Sequence, residues 1–205
     1  MAVVGAWVGI EMIRYTVDSD DKILRIDGDW DPFARVNDAP PELAASEVLG
    51  TCLWDWIHDE PTRRIYQVLL RGLRSHGRDI RFEYRCDSID RRRYLSLHLS
   101  SDPATGHITF ESRLRREEDR DVALAVAAET RGVHSNVRMC SICRRVQGQQ
   151  WAEAESVAAN EGLFDRDLPL HVIYTICPTC DEHLTSLASF HGATDPTLDS
   201  PGAQP

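Results

Sequence analysis

The spacing of apolar residues along this chain changes several times, and each spacing predicts a different element. Between Asp79 and Leu114 the pattern alternates: in "IRFEYRC", Ile80, Phe82, Tyr84 and Cys86 share one face, and Arg81, Glu83 and Arg85 the other. "YLSLHL" groups Leu95, Leu97 and Leu99, and "HITFESRL" groups Ile108, Phe110, Ser112 and Leu114. A period of two predicts strands. The turn-rich links "DSIDR" and "SDPATG" make them three successive antiparallel strands. From Thr62 to Ser75 the period lengthens, and Ile65, Tyr66, Leu69, Leu70 and Leu73 form the apolar stripe of an amphipathic helix. Pro61 suits its first turn and Gly77 its exit. Upstream, "RYTVD" and "KILRID" flank the turn "SDD" and predict a hairpin, followed by short helical pieces at 30–36 and 41–49.

Beyond the strands, "LRREEDRDVALAVAAETRG" (Leu114 to Gly132) is rich in good helix formers and predicts a connector helix. Two CxxC pairs follow, Cys140 with Cys143 and Cys177 with Cys180. Between them "WAEAESVAAN", Trp151 to Asn160, reads as a short helix. After them "DEHLTSLASF" offers Leu184, Leu187 and Ala188 as the packing face of another. The Pro-, Gly- and Asp-rich end, "HGATDPTLDSPGAQP", is expected to be disordered.

A CxxC pair on a tight turn points both sulfurs at one metal, and two such turns supply a tetrahedral set of four thiolates. Zinc is the default occupant of a closed all-sulfur site. Four thiolates around zinc leave a net charge of about −2, which Arg138, Arg144 and Arg145 are placed to offset. Alternatives are an iron centre or redox-active dithiols. Rubredoxins use paired CxxC turns but prefer glycine after each pair, where this chain has Arg144 and Asp181. His134, His171 and His183 lie near the cysteines and are read as surface or packing residues, since four sulfurs already complete the set. Cys52 and Cys86 are read as small buried residues.

Charge narrows the partners. The net charge of −10, with five bases against eleven acids from Asp121 to Pro205, argues against nucleic acid. Residues 63–93 carry ten arginines against four acids, read as solvated helix and strand faces. The start "MAVVGAWVGIEMI" has no basic leader, no cleavage pattern and too little length to span a bilayer, so a cytoplasmic protein with reduced thiols and no membrane partner is expected. No phosphate loop, nucleophile elbow or HExxH motif gives catalysis a seat, so no enzyme activity is expected.

The order of elements resembles the PAS domain family. The residues that carry the likeness are "VDSDDKILRIDGDW", "VLGTCLWDWIHDEPTRRIYQVLLRGLRSHG" and the strands from "DIRFEY" onward. "CSICRRV", a downstream tryptophan and "ICPTC" are similar to small zinc-ribbon-like modules found beside bacterial signalling domains. The expected fold is α+β: a PAS-like antiparallel five-stranded sheet with flanking helices, a connector helix and a small zinc-bound module. The divisions are a packing segment at 1–13, the PAS-like domain at 14–116, the connector at 117–136, the cysteine module at 137–190 and a tail at 191–205. The resemblance implies a sensory or regulatory protein, a homodimer and a partner signalling protein. It also implies a pocket, whose lining is assigned to Trp30, Phe33, Trp54, Phe82, Leu97 and Phe110. It leaves room there for haem or flavin, for which no residue speaks. Two other functions stand beside this one: a thiol redox switch or iron electron-transfer centre, and a zinc-dependent transcription regulator.

Overall fold

The structure, a computed structural model, describes residues 11–37, 39–88, 91–120, 135–161 and 170–189. Strands β1 (Met12–Val17) and β2 (Ile23–Gly28) form the expected hairpin. Helix α1 (Trp30–Val36), a 3₁₀ turn at Pro41–Leu43, helix α2 (Ala45–Val48) and a second 3₁₀ turn at Leu53–Asp55 lead into the long helix α3 (Glu60–His76). The Asp59 carboxylate caps α3 by accepting from the Thr62 N–H at 2.9 Å, and Gly77 closes it at φ 63°, in the left-handed region that glycine enters without strain. Strands β3 (Ile80–Arg85), β4 (Arg91–Ser101) and β5 (Ile108–Asp119) complete an antiparallel sheet of order β2-β1-β5-β4-β3.

One face of this sheet is dry. Val17, Ile80, Phe82, Leu97, Leu99, Ile108 and Phe110 meet Ile65, Leu69, Leu70 and Leu73 of α3. Near α1, Ile13 and Leu95 pack with Phe33 and Val36. Alternation along the strands and the 3.6-residue stripe along α3 produce this layered core directly.

The second part is smaller. Strands β6 (Ser135–Cys140), β7 (Val146–Gln147), β8 (Trp151–Ala152) and β9 (Leu170–Thr175) form a sheet of order β8-β7-β6-β9. β6 and β9 are parallel, and the link between them contains helix α4 (Ala154–Glu161). Helix α5 (Pro178–Ala188) follows β9. No helix among the described residues is long and apolar enough to cross a membrane.

Several expectations need correction. The connector helix does not begin at 117, because β5 runs on to Asp119. Glu117, Glu118 and Asp119 stand opposite Arg93, Arg92 and Arg91 of β4, and opposite charges across the ladder outweigh the local helix preference. The rest of that expectation, at 121–134, lies outside the described residues. So do residues 1–10 and the tail at 191–205, while Met12 and Ile13 belong to β1. The helix expected from Trp151 starts at Ala154, because Trp151 pairs with Gln147 as a strand residue.

The arginine run is not uniformly solvated either. Arg85 is 6% exposed and Arg93 2%. Arg85 is held by Asp87 and Glu153, and Arg93 by Glu117 and the Asn37 side-chain oxygen. Each guanidinium is buried with at least one carboxylate in contact with it.

Candidate metal centre

The first CxxC pair is the tip between β6 and β7. β6 ends at Cys140, whose N–H donates to the Arg145 carbonyl at 2.8 Å, and the Arg144 N–H returns to the Cys140 carbonyl at 3.0 Å. Arg144 closes the turn at φ 61°, a left-handed conformation that costs a side-chain-bearing residue roughly 1–2 kcal/mol. Arg144 therefore takes a shape that glycine enters without this cost. Asp181, by contrast, is helical, so the second pair ends differently.

The second pair straddles a helix start. Cys177 precedes Pro178, which fits the first position of α5 because its missing N–H would be unpaired there anyway, and Cys180 sits in the first turn. The Ser141 N–H donates to the Thr175 carbonyl at 2.8 Å, which ties the β6–β7 tip to the end of β9.

These local turns bring the four sulfurs within 4.8 Å of one another. Cys143 Sγ and Cys177 Sγ are 3.8 Å apart. A tetrahedron with metal–sulfur bonds of about 2.3 Å has edges of about 3.8 Å, which the Cys143–Cys177 pair matches, and the cluster as a whole is compact enough for one ion. The donor set holds no carboxylate, and His183 is exposed on α5, outside the cluster. His134 and the His171 side chain lie outside what the structure describes.

Electrostatics within the cluster are uneven. Hydrogen bonds from Cys143 and Cys180 hold the Cys140 thiol far below the usual range, helped by the Cys143 and Cys177 backbone N–H groups. The Cys177 N–H reaches Cys140 Sγ at 3.4 Å. Donation to Cys140 pushes the Cys143 thiol up to about 12, and Cys180 is pushed well up by the same sulfur first and by Cys143 next. Protons alone thus satisfy one thiolate at the expense of its neighbours, whereas a divalent cation satisfies all four.

Two of the three arginines expected to offset the charge have other contacts, and the third is exposed. The Arg144 guanidinium lies 5.2 Å from the Tyr174 ring centre, Arg145 Nε lies 3.9 Å from Glu153, and Arg138 is exposed. Backbone N–H groups meet the sulfurs instead.

The cluster is not a bead on a string. Cys140, Ile142, Cys177, Leu184 and Ala188 belong to the same apolar cluster as Ile65, Leu69, Leu73 and Phe82. α5 lies so close to α3 that a Cβ on Gly72 would stand 2.5 Å from the Ala188 carbonyl oxygen. The Arg85 N–H, at the end of edge strand β3, donates to the Ile142 carbonyl at 2.8 Å. Arg64 pairs with Asp181. A charged latch adds to this: Arg85 holds Asp87 and Glu153, while Arg92 and Arg120 both reach the Glu155 carboxylate at 3.0 Å.

The residues assigned to a pocket separate. Phe82, Leu97 and Phe110 are core, with Phe110 stacked on Tyr15 at 4.5 Å. Phe33 packs near Ile13 and Leu95, and Trp54 Nε1 donates to Asp21 at 2.8 Å. Of the six, only Trp30 lines a cavity of about 560 Å³ that is open to solvent on one side. Trp56, Ile57 and Tyr66 line it with Trp30, and so do Ile173 and Tyr174 of β9. No sequence signal marks those last two, since they reach the cavity only through tertiary packing. Cys52 and Cys86 are half-buried and stand apart from the cluster.

No protein-family model matches the chain, and no curated protein matches it. Solved structures do. A sensory box sensor histidine kinase from Vibrio cholerae aligns at 5% identity and TM-score 0.38, over 53% of this chain and 85% of that one. An RNA-binding Light-Oxygen-Voltage receptor aligns at 14% and 0.34, over 51% and 28%. A domain of an HTR-like protein from Haloarcula marismortui ATCC 43049 aligns at 14% and 0.32, over 50% and 96%. The sheet order β2-β1-β5-β4-β3, with its helices between β2 and β3, matches the order of elements on which the sequence resemblance rested. Residues 12–119 thus have the PAS-like arrangement of sheet and helices that the sequence led one to expect, with a four-cysteine cluster packed against the long helix.

Proposed function

We propose that this chain is a non-catalytic sensory or regulatory protein of signal transduction, in which Cys140, Cys143, Cys177 and Cys180 hold one structural zinc. The observation that supports this reading is the clustering of four sulfurs within 4.8 Å of one another beside the core shared with α3. Four protein ligands leave no open coordination position, so the ion's part is to fix β6, β9 and α5. Six free cysteines fit a reducing, cytoplasmic setting. The net charge of −10 favours a protein partner, or a second copy of the chain, over nucleic acid.

Elemental analysis with an absorption spectrum of the purified full chain tests the metal. One zinc per chain and no visible bands are expected. A coloured iron site would move the reading to electron transfer, and bands of flavin or haem would give the domain a cofactor. The partner is tested by cross-linking in cells: wild type is expected to capture protein that Cys177→Ser does not, and equal capture by both would count against the module as a binding surface.

A further inference from the structure

The four sulfurs differ in how a reagent from solvent would meet them. Cys140 is fully buried and Cys177 is 2% exposed, whereas Cys143 and Cys180 are half-buried. Each CxxC pair thus offers one sulfur to solvent and keeps one inside. Metal binding deprotonates all four, so exposure and hydrogen bonding set which thiolate reacts.

Hydrogen bonding separates the two half-buried sulfurs. Cys140 accepts from the Cys143 and Cys177 backbone N–H groups, and Cys143 accepts from that of Arg145. Cys180 has the sulfurs of Cys140 and Cys143 as its partners, and among the described residues no backbone N–H is directed at it. An N–H donated to a thiolate stabilises its charge and lowers its nucleophilicity. Cys180 is therefore the sulfur that is both reachable and unshielded.

Its neighbour on the same helix is placed to complete a reaction begun there. Cys177 precedes the first turn of α5, where the Asp181 N–H donates to the Cys177 carbonyl at 3.0 Å, and Cys180 stands three positions on. Positions three apart along a helix have Cα atoms about 5 Å apart, within the range that a disulfide spans.

We propose that Cys180 is a modification site, the thiolate at which peroxide oxidises the zinc-loaded cluster, and that a Cys177–Cys180 disulfide and free zinc are the products. This rests on the zinc reading above. The Cys180 thiolate attacks one peroxide oxygen: the S–O bond forms, the O–O bond breaks, and hydroxide leaves and takes up a proton as water. Sulfur is oxidised to the sulfenic acid and peroxide is reduced. The Cys177 thiolate then attacks Cys180 Sγ, so that the S–S bond forms and the S–O bond breaks, releasing a second hydroxide that is protonated to water. Zinc keeps only Cys140 and Cys143 and dissociates, and β6 and α5 lose the ion that fixes them together.

The test treats the zinc-loaded full chain with hydrogen peroxide. Released zinc is followed with 4-(2-pyridylazo)resorcinol, sulfenic acid is trapped with dimedone, and both label and disulfide are located by mass spectrometry. Dimedone is expected on Cys180 first, and without it the Cys177–Cys180 disulfide should grow in step with zinc release while Cys140 and Cys143 still alkylate. Cys180→His and Cys143→His each give a site of three sulfurs and one imidazole with the same charge. Cys180→His is expected to release zinc about ten-fold more slowly than Cys143→His. A first label on another of the four cysteines, a Cys140–Cys143 disulfide formed first, or equal release from the two variants overturns the proposal. If either variant fails to hold zinc, the wild-type map decides alone. A wild-type chain that purifies without zinc overturns the metal reading and this one together, which the metal count shows before any peroxide is added.

Discussion

The PAS-like domain and the cysteine module solve the same problem with different means. The domain covers a five-stranded sheet with α3 and buries Leu69, Leu73, Leu97, Leu99, Ile108 and Phe110 almost completely. The module's own apolar cluster is only Val137, Met139, Val146, Ala154 and Val157, and two of its four strands are two residues long. So small a core does not offset the entropy of ordering the chain. The module makes up for this with four clustered sulfurs of its own and with its neighbour's surface: α3 for α5, and arginines of β3 and β4 for Glu153 and Glu155. A part of a protein that looks appended in sequence is thus built into its neighbour's core.

Four changes probe that contrast, in decreasing order of expected effect. Metal removal, or Cys177→Ser, comes first, because structural zinc contributes on the order of 10 kcal/mol to folding small modules. Circular dichroism and thermal melting should show the module lost, while the PAS-like domain melts at a lower temperature.

Next, Arg85→Ala removes the cation that joins Asp87 to Glu153 and leaves Asp87 to Arg120 alone, at a cost of about 3 kcal/mol in urea unfolding. The same change at exposed Arg81 should cost almost nothing.

Gly72→Ala would stabilise an isolated helix by about 1 kcal/mol. Against the Ala188 carbonyl it is expected to destabilise by about 1–3 kcal/mol instead, and a stabilised variant would mean that α5 does not dock there.

The smallest effect is pH-dependent. Burial opposes ionisation of Glu155, but a backbone hydrogen bond, Arg92 and Arg120 outweigh it, so the carboxyl titrates below its ordinary value. Its contribution is therefore complete above the unfolded value of about 4.3 and is lost as pH falls through the lower folded value. Glu155→Gln should flatten that part of an acid-unfolding curve.

Much of the domain was legible because its signals are local. Alternation marked β3 to β5, the stripe Ile65-Leu69-Leu73 marked α3, and CxxC spacing marked the cluster. What was missed depends on partners distant in sequence. "RREED" reads as helix former until "RRR" at 91–93 is placed opposite its acidic end. Arg85 reads as a solvent-facing strand residue until Glu153 arrives from 68 positions away. The pocket was assigned to Trp30, Phe33, Trp54, Phe82, Leu97 and Phe110, but Phe82, Leu97 and Phe110 are buried in the core, and the cavity that Trp30 lines reaches Ile173 and Tyr174 of β9. Arg144 stands where rubredoxins prefer glycine and so counted against an iron site, yet it adopts the left-handed conformation that glycine favours.

The most direct test of shared construction is amide hydrogen exchange on the zinc-loaded chain and on the same chain stripped of metal. Loss of protection is expected in β6, β9 and α5 and also along the Ile65-to-Leu73 face of α3, with β4 and β5 still slow. Unchanged protection of α3 while the cysteine module exchanges freely would contradict the account, because the module would then be an independent appendage.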